Sequence, residues 1–243
     1  MIIELGVCTF SILLVSNSLK KYMTKHNKIT AEIIFIFCGF FVSSFLTGFG
    51  KLLIISGVSN YQIIQHVFFI DNFALMSLII ANTAFFLFTL DVFYNIEANK
   101  KRDLIIAYIS IESVLLVIGI IILLSGITSK LATIGVLGSF FVLFIFTYVL
   151  LTIKAFNVAR KALPGLDKIS MQLIILSGFL IIGFFLLFGL DVLNLFGLGN
   201  ISAFYFMSWS VAAVAMFVTY LGYFRPAWFL KRFKMQDESK KSD

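Results

Sequence analysis

Five side chains that could do chemistry fall inside long apolar runs: Lys51, Asp71, Asn82, Glu112 and Asp191. An ionisable group in hydrocarbon costs at least about 2.5–3.5 kcal/mol on insertion scales, so it is expected to face a partner or a cavity. Lys51 lies six residues before Gly57, Asp71 five after His66, and Asp191 six before Gly197. As helical residues rising 1.5 Å each, all three would sit about 7–9 Å below their outer loops. One cation and two anions at one depth allow a Lys–Asp pair between helices. The remaining carboxylate could then hold a proton, a cation or an amine. Structural pairing alone, or Lys51 snorkelling to the surface, reads the same residues more plainly.

Helical direction sorts the polar residues further. Asp71 and Asn82 are eleven residues apart, about 1100°, and Asp71 and Thr89 eighteen apart, about 1800°. Asp71, Leu75, Leu78, Asn82 and Thr89 therefore form one stripe, and Ser44, Thr47 and Lys51 another. Both are expected to face the bundle interior, as a ligand path or as ordinary helix–helix glue. Glu112 shares a face with Tyr108, Gly119 and Gly126. It is either a proton-binding switch or transport carboxylate, or a protonated acid hydrogen-bonded between helices. Asp91, Glu97 and Asp103 are expected to balance Lys100, Lys101 and Arg102. Near the C-terminus, Tyr205, Trp209, Met216, Tyr220 and Tyr223 recur at helical spacing around Ala212 and Ala213. That face is a ligand wall or a packed surface. His26 and His66 stand alone and read as capping or solvated residues.

Catalytic readings fail one by one. There is no His-Glu-x-x-His, no other cluster with metal-ligand spacing and no Gly-rich phosphate loop. No Ser, His and Asp set can be assembled, and two histidines at opposite membrane faces cannot hold haem. The expectation is no enzyme, no catalytic residues, no metal and no cofactor. Cys8 and Cys38 both lie in apolar runs, so no disulfide framework is implied.

The elements that must position these residues follow from composition. Of 243 residues, 60% are hydrophobic and 13% charged, with mean hydropathy +1.05. Soluble domains are nearer 45–50% apolar and 25% charged, so an integral membrane protein is expected. Seven runs are long enough to cross a bilayer, at 2–19, 33–57, 67–93, 104–125, 131–153, 171–196 and 201–224. Strand alternation is absent, so the backbone must satisfy itself in helices. The expected fold is all-α, a polytopic bundle of seven transmembrane helices over 1–230, with a basic interfacial segment and polar tail at 226–243.

Seventeen of the 19 Lys and Arg residues fall after runs one, three, five and seven. The positive-inside rule puts those segments in the cytoplasm, with the N-terminus outside and the C-terminus inside. The first run lacks a basic flank before it and reads as a retained helix, not a cleaved leader. The loops are short, so a ligand site is expected between helices. The pI of about 9.4 reads as topology plus attraction to anionic lipid at the cytoplasmic face, not as nucleic-acid binding. Trp228, Phe229 and Phe233 interleave with Lys231, Arg232 and Lys234, as in an interfacial anchor. The 30 phenylalanines are expected mainly as lipid-facing filler.

Seven spans with this orientation also suit heptahelical receptors and microbial rhodopsins. Residues 201–224 hold no lysine for a retinal Schiff base, which disfavours retinal. The stretch Tyr220-Leu-Gly-Tyr-Phe-Arg-Pro-Ala-Trp-Phe-Leu-Lys-Arg-Phe233 resembles the exit of the seven-helix sensor regions that precede some prokaryotic histidine kinases. The likeness covers about 14 residues, plus the topology, and carries over no functional residue. It implies a prokaryotic, multi-pass plasma-membrane sensor. No output domain follows, so a protein partner is expected at the basic inner loops. The resulting expectation is a stand-alone seven-helix sensor that binds a small ligand, ion or lipid near Lys51, Asp71 and Asp191. The alternatives are a small transporter or channel, with Glu112 and the Asn82 stripe lining the path, and an accessory subunit of a larger complex.

Overall fold

The computed structural model describes the backbone of residues 2–55, 61–94, 96–124, 130–162, 165–198, 203–226 and 229. Within those, the side chains of residues 2, 3, 5, 25, 51, 54–55, 61–72, 122–124, 130–134 and 192–198 lie outside the description.

The described chain is built from helices: α1 (Ile2–Lys25), α2 (Lys28–Ile55), α3 (Tyr61–Phe93), α4 (Ala98–Leu124), α5 (Lys130–Lys161), α6 (Leu166–Leu198) and α7 (Ala203–Phe224). Six of them, α2 to α7, are long and apolar enough over their described residues to cross a membrane. α1 is outside that six.

Local chemistry sets the breaks. His26 takes a left-handed φ of 43° and donates its N–H to the Tyr22 carbonyl at 2.8 Å, ending α1 as a left-handed cap does. Asn27 then caps α2, its Oδ1 accepting the Ile29 N–H at 3.1 Å. His26 is thus the capping residue its isolation suggested. At the other end, Arg225 turns left-handed, φ 45°, just before Pro226. Its guanidinium reaches back to Asp167 of α6 at 2.7 Å.

The packing is a closed ring of six helices with one outside it. α1 packs on α2 and α7, α2 on α3, α3 on α5, α5 on α6, and α6 on α7. α4 docks against α3 and α5. Glycine sets the close approaches: a Cβ on Gly39 of α2 would come within 2.6 Å of both Ala81 Cβ and the Ser77 carbonyl of α3. A Cβ on Gly178 of α6 would collide with Thr152 Oγ1 of α5.

The ring is filled by aromatic side chains. Phe85 stacks on Tyr148 at 4.3 Å, and Phe185 meets Phe144 at 5.1 Å and Phe184 at 4.9 Å. Among the described residues ten phenylalanines are buried and ten others exposed, so the expectation of lipid-facing filler describes only part of them. Offset and edge-to-face ring pairs add about 0.5–1.5 kcal/mol each beyond area burial, which favours Phe inside as well as out. A cavity of about 20 Å³ remains among α2, α3, α5, α6 and α7, room for about one water. Its polar edge is Ser177 and Thr219, bonded to each other at 2.8 Å.

Candidate functional site

Over residues 98–121, α4 buries only two side chains, Tyr108 and Glu112. They are four residues apart, so they lie one above the other on one helix face. The other face presents Ile106, Ile109, Val114, Val117 and Ile121, each more than 40% exposed. α4 is therefore attached to the ring through this polar pair together with the half-buried apolar side chains Ile105, Leu115 and Leu116.

Glu112, 4% exposed, meets α3 at two adjacent residues. Its carboxyl is hydrogen-bonded to the Thr83 hydroxyl, and Asn82 Nδ2 donates to it at 3.5 Å. Asn82 Nδ2 also donates to the Tyr108 hydroxyl. Tyr108 lies 3.0 Å from Thr147 Oγ1 of α5, and Thr147 donates to the Leu143 carbonyl at 3.1 Å. A continuous chain of hydrogen bonds thus crosses three helices. Phe86 stacks on Tyr108 at 4.0 Å and closes the network from the side.

Two donors of α3 face the acid. Thr83 has one hydroxyl hydrogen, and its oxygen also lies 3.0 Å from the Ile79 carbonyl, which can only accept. Thr83 donates to the Glu112 carboxyl and to that carbonyl with this single shared hydrogen. The described ion pairs, made by Lys28, Lys100, Lys101, Arg102 and Arg225, lie at helix ends and none includes Glu112. A neutral carboxylic acid is the form that low-dielectric surroundings tolerate. Asn82 Oδ1 is buried with no partner, which leaves one acceptor in the network.

The end of this α3–α4 seam nearest the connection between the two helices carries charge. Asp91, at the end of α3, takes Lys28 of α2 at 2.7 Å and is also paired with Lys101 of α4. Lys28 lies 3.5 Å from Glu32. Asp91 thus joins three helices, more than balancing the basic run, while Glu97 pairs with Lys100 and Asp103 with Arg102. Half-buried Tyr94 lies under Lys154, 4.2 Å from its ring centre, and burial pushes its hydroxyl ionisation up.

Of the outer trio, Asp191 is 2% exposed on α6. The side chains of Lys51 and Asp71 lie outside the described residues, as does His66. The stripes continue inward as expected where described: Leu78, Asn82 and Thr89 are buried on α3, and Ser44 and Thr47 on α2. On α7, Tyr205 and Trp209 are buried and Tyr220 half-buried. Trp209 packs edge-on to Phe184 at 5.6 Å and Tyr220 stacks on Phe224 at 5.9 Å. This is a packed interior face.

Sequence reasoning missed the partner of Tyr205. Its hydroxyl donates to Glu4 Oε1 of α1 at 2.6 Å, and Glu4 is 3% exposed. One turn further in, Cys8 Sγ lies 3.1 Å from Ser44 Oγ. The available signal was the period of Glu4, Cys8 and Ser11 along α1, a polar stripe within an apolar run. Set against known proteins, the chain matches no family model, no curated protein and no solved structure.

Proposed function

We propose that this chain is a receptor-like membrane sensor in which α4 is the moving part and Glu112 its catch. The observation that carries the reading is the pair of buried side chains on α4, both polar and both bonded to the ring. A sensor needs an element with two positions and an input that favours one of them. In a bilayer, lipid tails are as apolar as leucine, so α4 gains little from apolar burial and depends on packing and hydrogen bonds. Loss of the Glu112 proton, or a small polar ligand competing for Thr83 and Asn82, would weaken that attachment. Ionised in the apolar seam, Glu112 would carry a charge that costs at least about 2.5–3.5 kcal/mol, enough to shift a two-state balance about a hundredfold towards a position of α4 in which the carboxylate reaches water.

Movement of α4 would reach the inner face through Lys101 and Asp91. There the basic loops offer a surface for a protein partner and for anionic lipid. Outside-facing N-terminus, cytoplasmic C-terminus, a seventh crossing by α1 and residence in a prokaryotic plasma membrane belong to this proposal. They rest on the charge distribution and on the likeness at residues 220–233. The reading needs no catalysis, metal, cofactor or nucleic acid.

One observation favours transport instead. Asn82 and Thr83 lie midway along the Phe73–Phe93 span, the depth at which transporters bind substrate. Against it stands the ring interior, packed with aromatic side chains around a cavity the size of one water.

The test is a distance measured across pH. Spin labels at exposed Ile111 of α4 and Leu176 of α6, in a background lacking Cys8 and Cys38, report α4 against the ring in lipid nanodiscs. The expected result is a distance distribution that changes as pH rises, and that stays fixed in Glu112→Gln, whose amide still hydrogen-bonds and cannot ionise. Identical, pH-independent distributions in both proteins would sink the sensor reading. Solute flux in liposomes abolished by Glu112→Gln would replace it with the transporter.

A further inference from the structure

We infer that the inner end of the α5–α6 seam is a binding site for one anionic glycerophospholipid. It rests on the orientation proposed above and is independent of Glu112. A cleft of about 360 Å³ opens there between the end of α5 and the start of α6, within the size range of ligand pockets. α5 supplies Phe156, Ala159 and Arg160, and α6 supplies Lys168, Gln172 and Ile175. The spacings i, i+3, i+4 and i, i+4, i+7 put each set on one helix face.

The order of these residues along the two helices matches a lipid. Arg160 and Lys168 are nearest the α5–α6 connection, Gln172 is one turn in, and Phe156 and Ile175 are deeper. The cleft is therefore cationic at the membrane surface and apolar towards the hydrocarbon. The Arg160 guanidinium lies over the Phe156 ring, 5.9 Å from its centre. Neither Arg160 nor Lys168 is in an ion pair among the described residues, although Asp167 beside Lys168 is engaged by Arg225.

The chemistry selects the occupant. A phosphodiester accepts two parallel hydrogen bonds from an Arg fork and a point charge from Lys. The Gln172 amide can donate to an ester or glycerol oxygen, and an acyl chain can follow Phe156 and Ile175. A zwitterionic lipid carries its own ammonium group and competes with these two cations for the phosphate, so the site prefers a headgroup with net negative charge. Basic pockets between helices at the cytoplasmic side are the usual form of such recognition.

The test uses the full chain, purified and delipidated. Native mass spectrometry counts retained lipid against added phosphatidylglycerol or phosphatidylcholine. Arg160→Gln with Lys168→Gln is compared with Lys100→Gln with Arg102→Gln, which removes the same charge from α4. Phosphatidylglycerol is expected to bind in preference, and the first double variant to bind it about 30-fold more weakly, from the worth of two basic residues at a membrane surface. The control pair is expected to change it less than about threefold, since its cations sit outside the cleft. Equal losses in the two double variants, or equal retention of phosphatidylcholine, would overturn the site. So would glycerol phosphate without acyl chains displacing the lipid at equal concentration, which would assign the cleft to a soluble phosphate.

Discussion

At the scale of single residues, the weight falls on Glu112. It is met by the Thr83 hydroxyl and the Asn82 amide, and none of the described ion pairs includes it. Glu112→Gln is expected to hold the melting temperature within about 2 °C, because the carboxamide replaces a neutral acid group for group. Glu112→Ala removes the bonds to Thr83 and Asn82 together, and is expected to cost about 1–3 kcal/mol. Thermal unfolding in nanodiscs separates the two. If the glutamine variant falls as far as the alanine one, Glu112 is ionised in the folded protein. Tyr108→Phe should cost less, about 0.5–1.5 kcal/mol, since Asn82 keeps Glu112 as partner while Thr147 loses the phenol.

At the scale of elements, glycine decides how closely helices approach. Gly39 faces Ala81 and the Ser77 carbonyl with no room for a methyl group. Gly138 has nothing within 4 Å of an added Cβ. Gly39→Ala is expected to destabilise by about 1–3 kcal/mol through forced separation of α2 and α3. Gly138→Ala is expected to be neutral, or to stabilise α5 by up to about 1 kcal/mol from helix propensity. Denaturation of both variants side by side checks the pair, and similar losses would remove the close-approach argument. The Asp91 junction is a second element-scale device. Asp91→Asn leaves Lys28 and Lys101 facing each other, and about 1–2 kcal/mol of stability should go with it. The difference from wild type should shrink in high salt, because part of the junction is open to solvent.

At the scale of the whole molecule, a ring of six helices carries α4 on its outside. The ring is held by aromatic packing across its interior. α4 is held by the hydrogen bonds of Tyr108 and Glu112, by half-buried leucines and by the ionic junction at Asp91. Orientation is also a property of this scale. With native cysteines removed, Asn27→Cys is expected to resist a membrane-impermeant maleimide in intact cells, and Ser129→Cys to react. The reverse labelling would turn the molecule over and put the α5–α6 cleft on the outer face.

Much of this was legible in the residues alone. Helix existence and number followed from apolar runs too long for strands and too apolar for water. The buried faces of α2 and α3 followed from the 3.6-residue period, and Ser44, Thr47, Asn82 and Thr89 are buried accordingly, Asn82 against α4 and not the ring interior. Glu112 stood out because an acid in hydrocarbon needs a reason. The tertiary structure alone decided which helices are neighbours. Nothing in the sequence placed α4 outside the ring, because its hydropathy is like that of the helices within it. Nothing tied Glu4 to Tyr205 either, since the two are separated by 201 positions. A period along one helix says which residues point inward, and only the arrangement of all the helices says what they meet there.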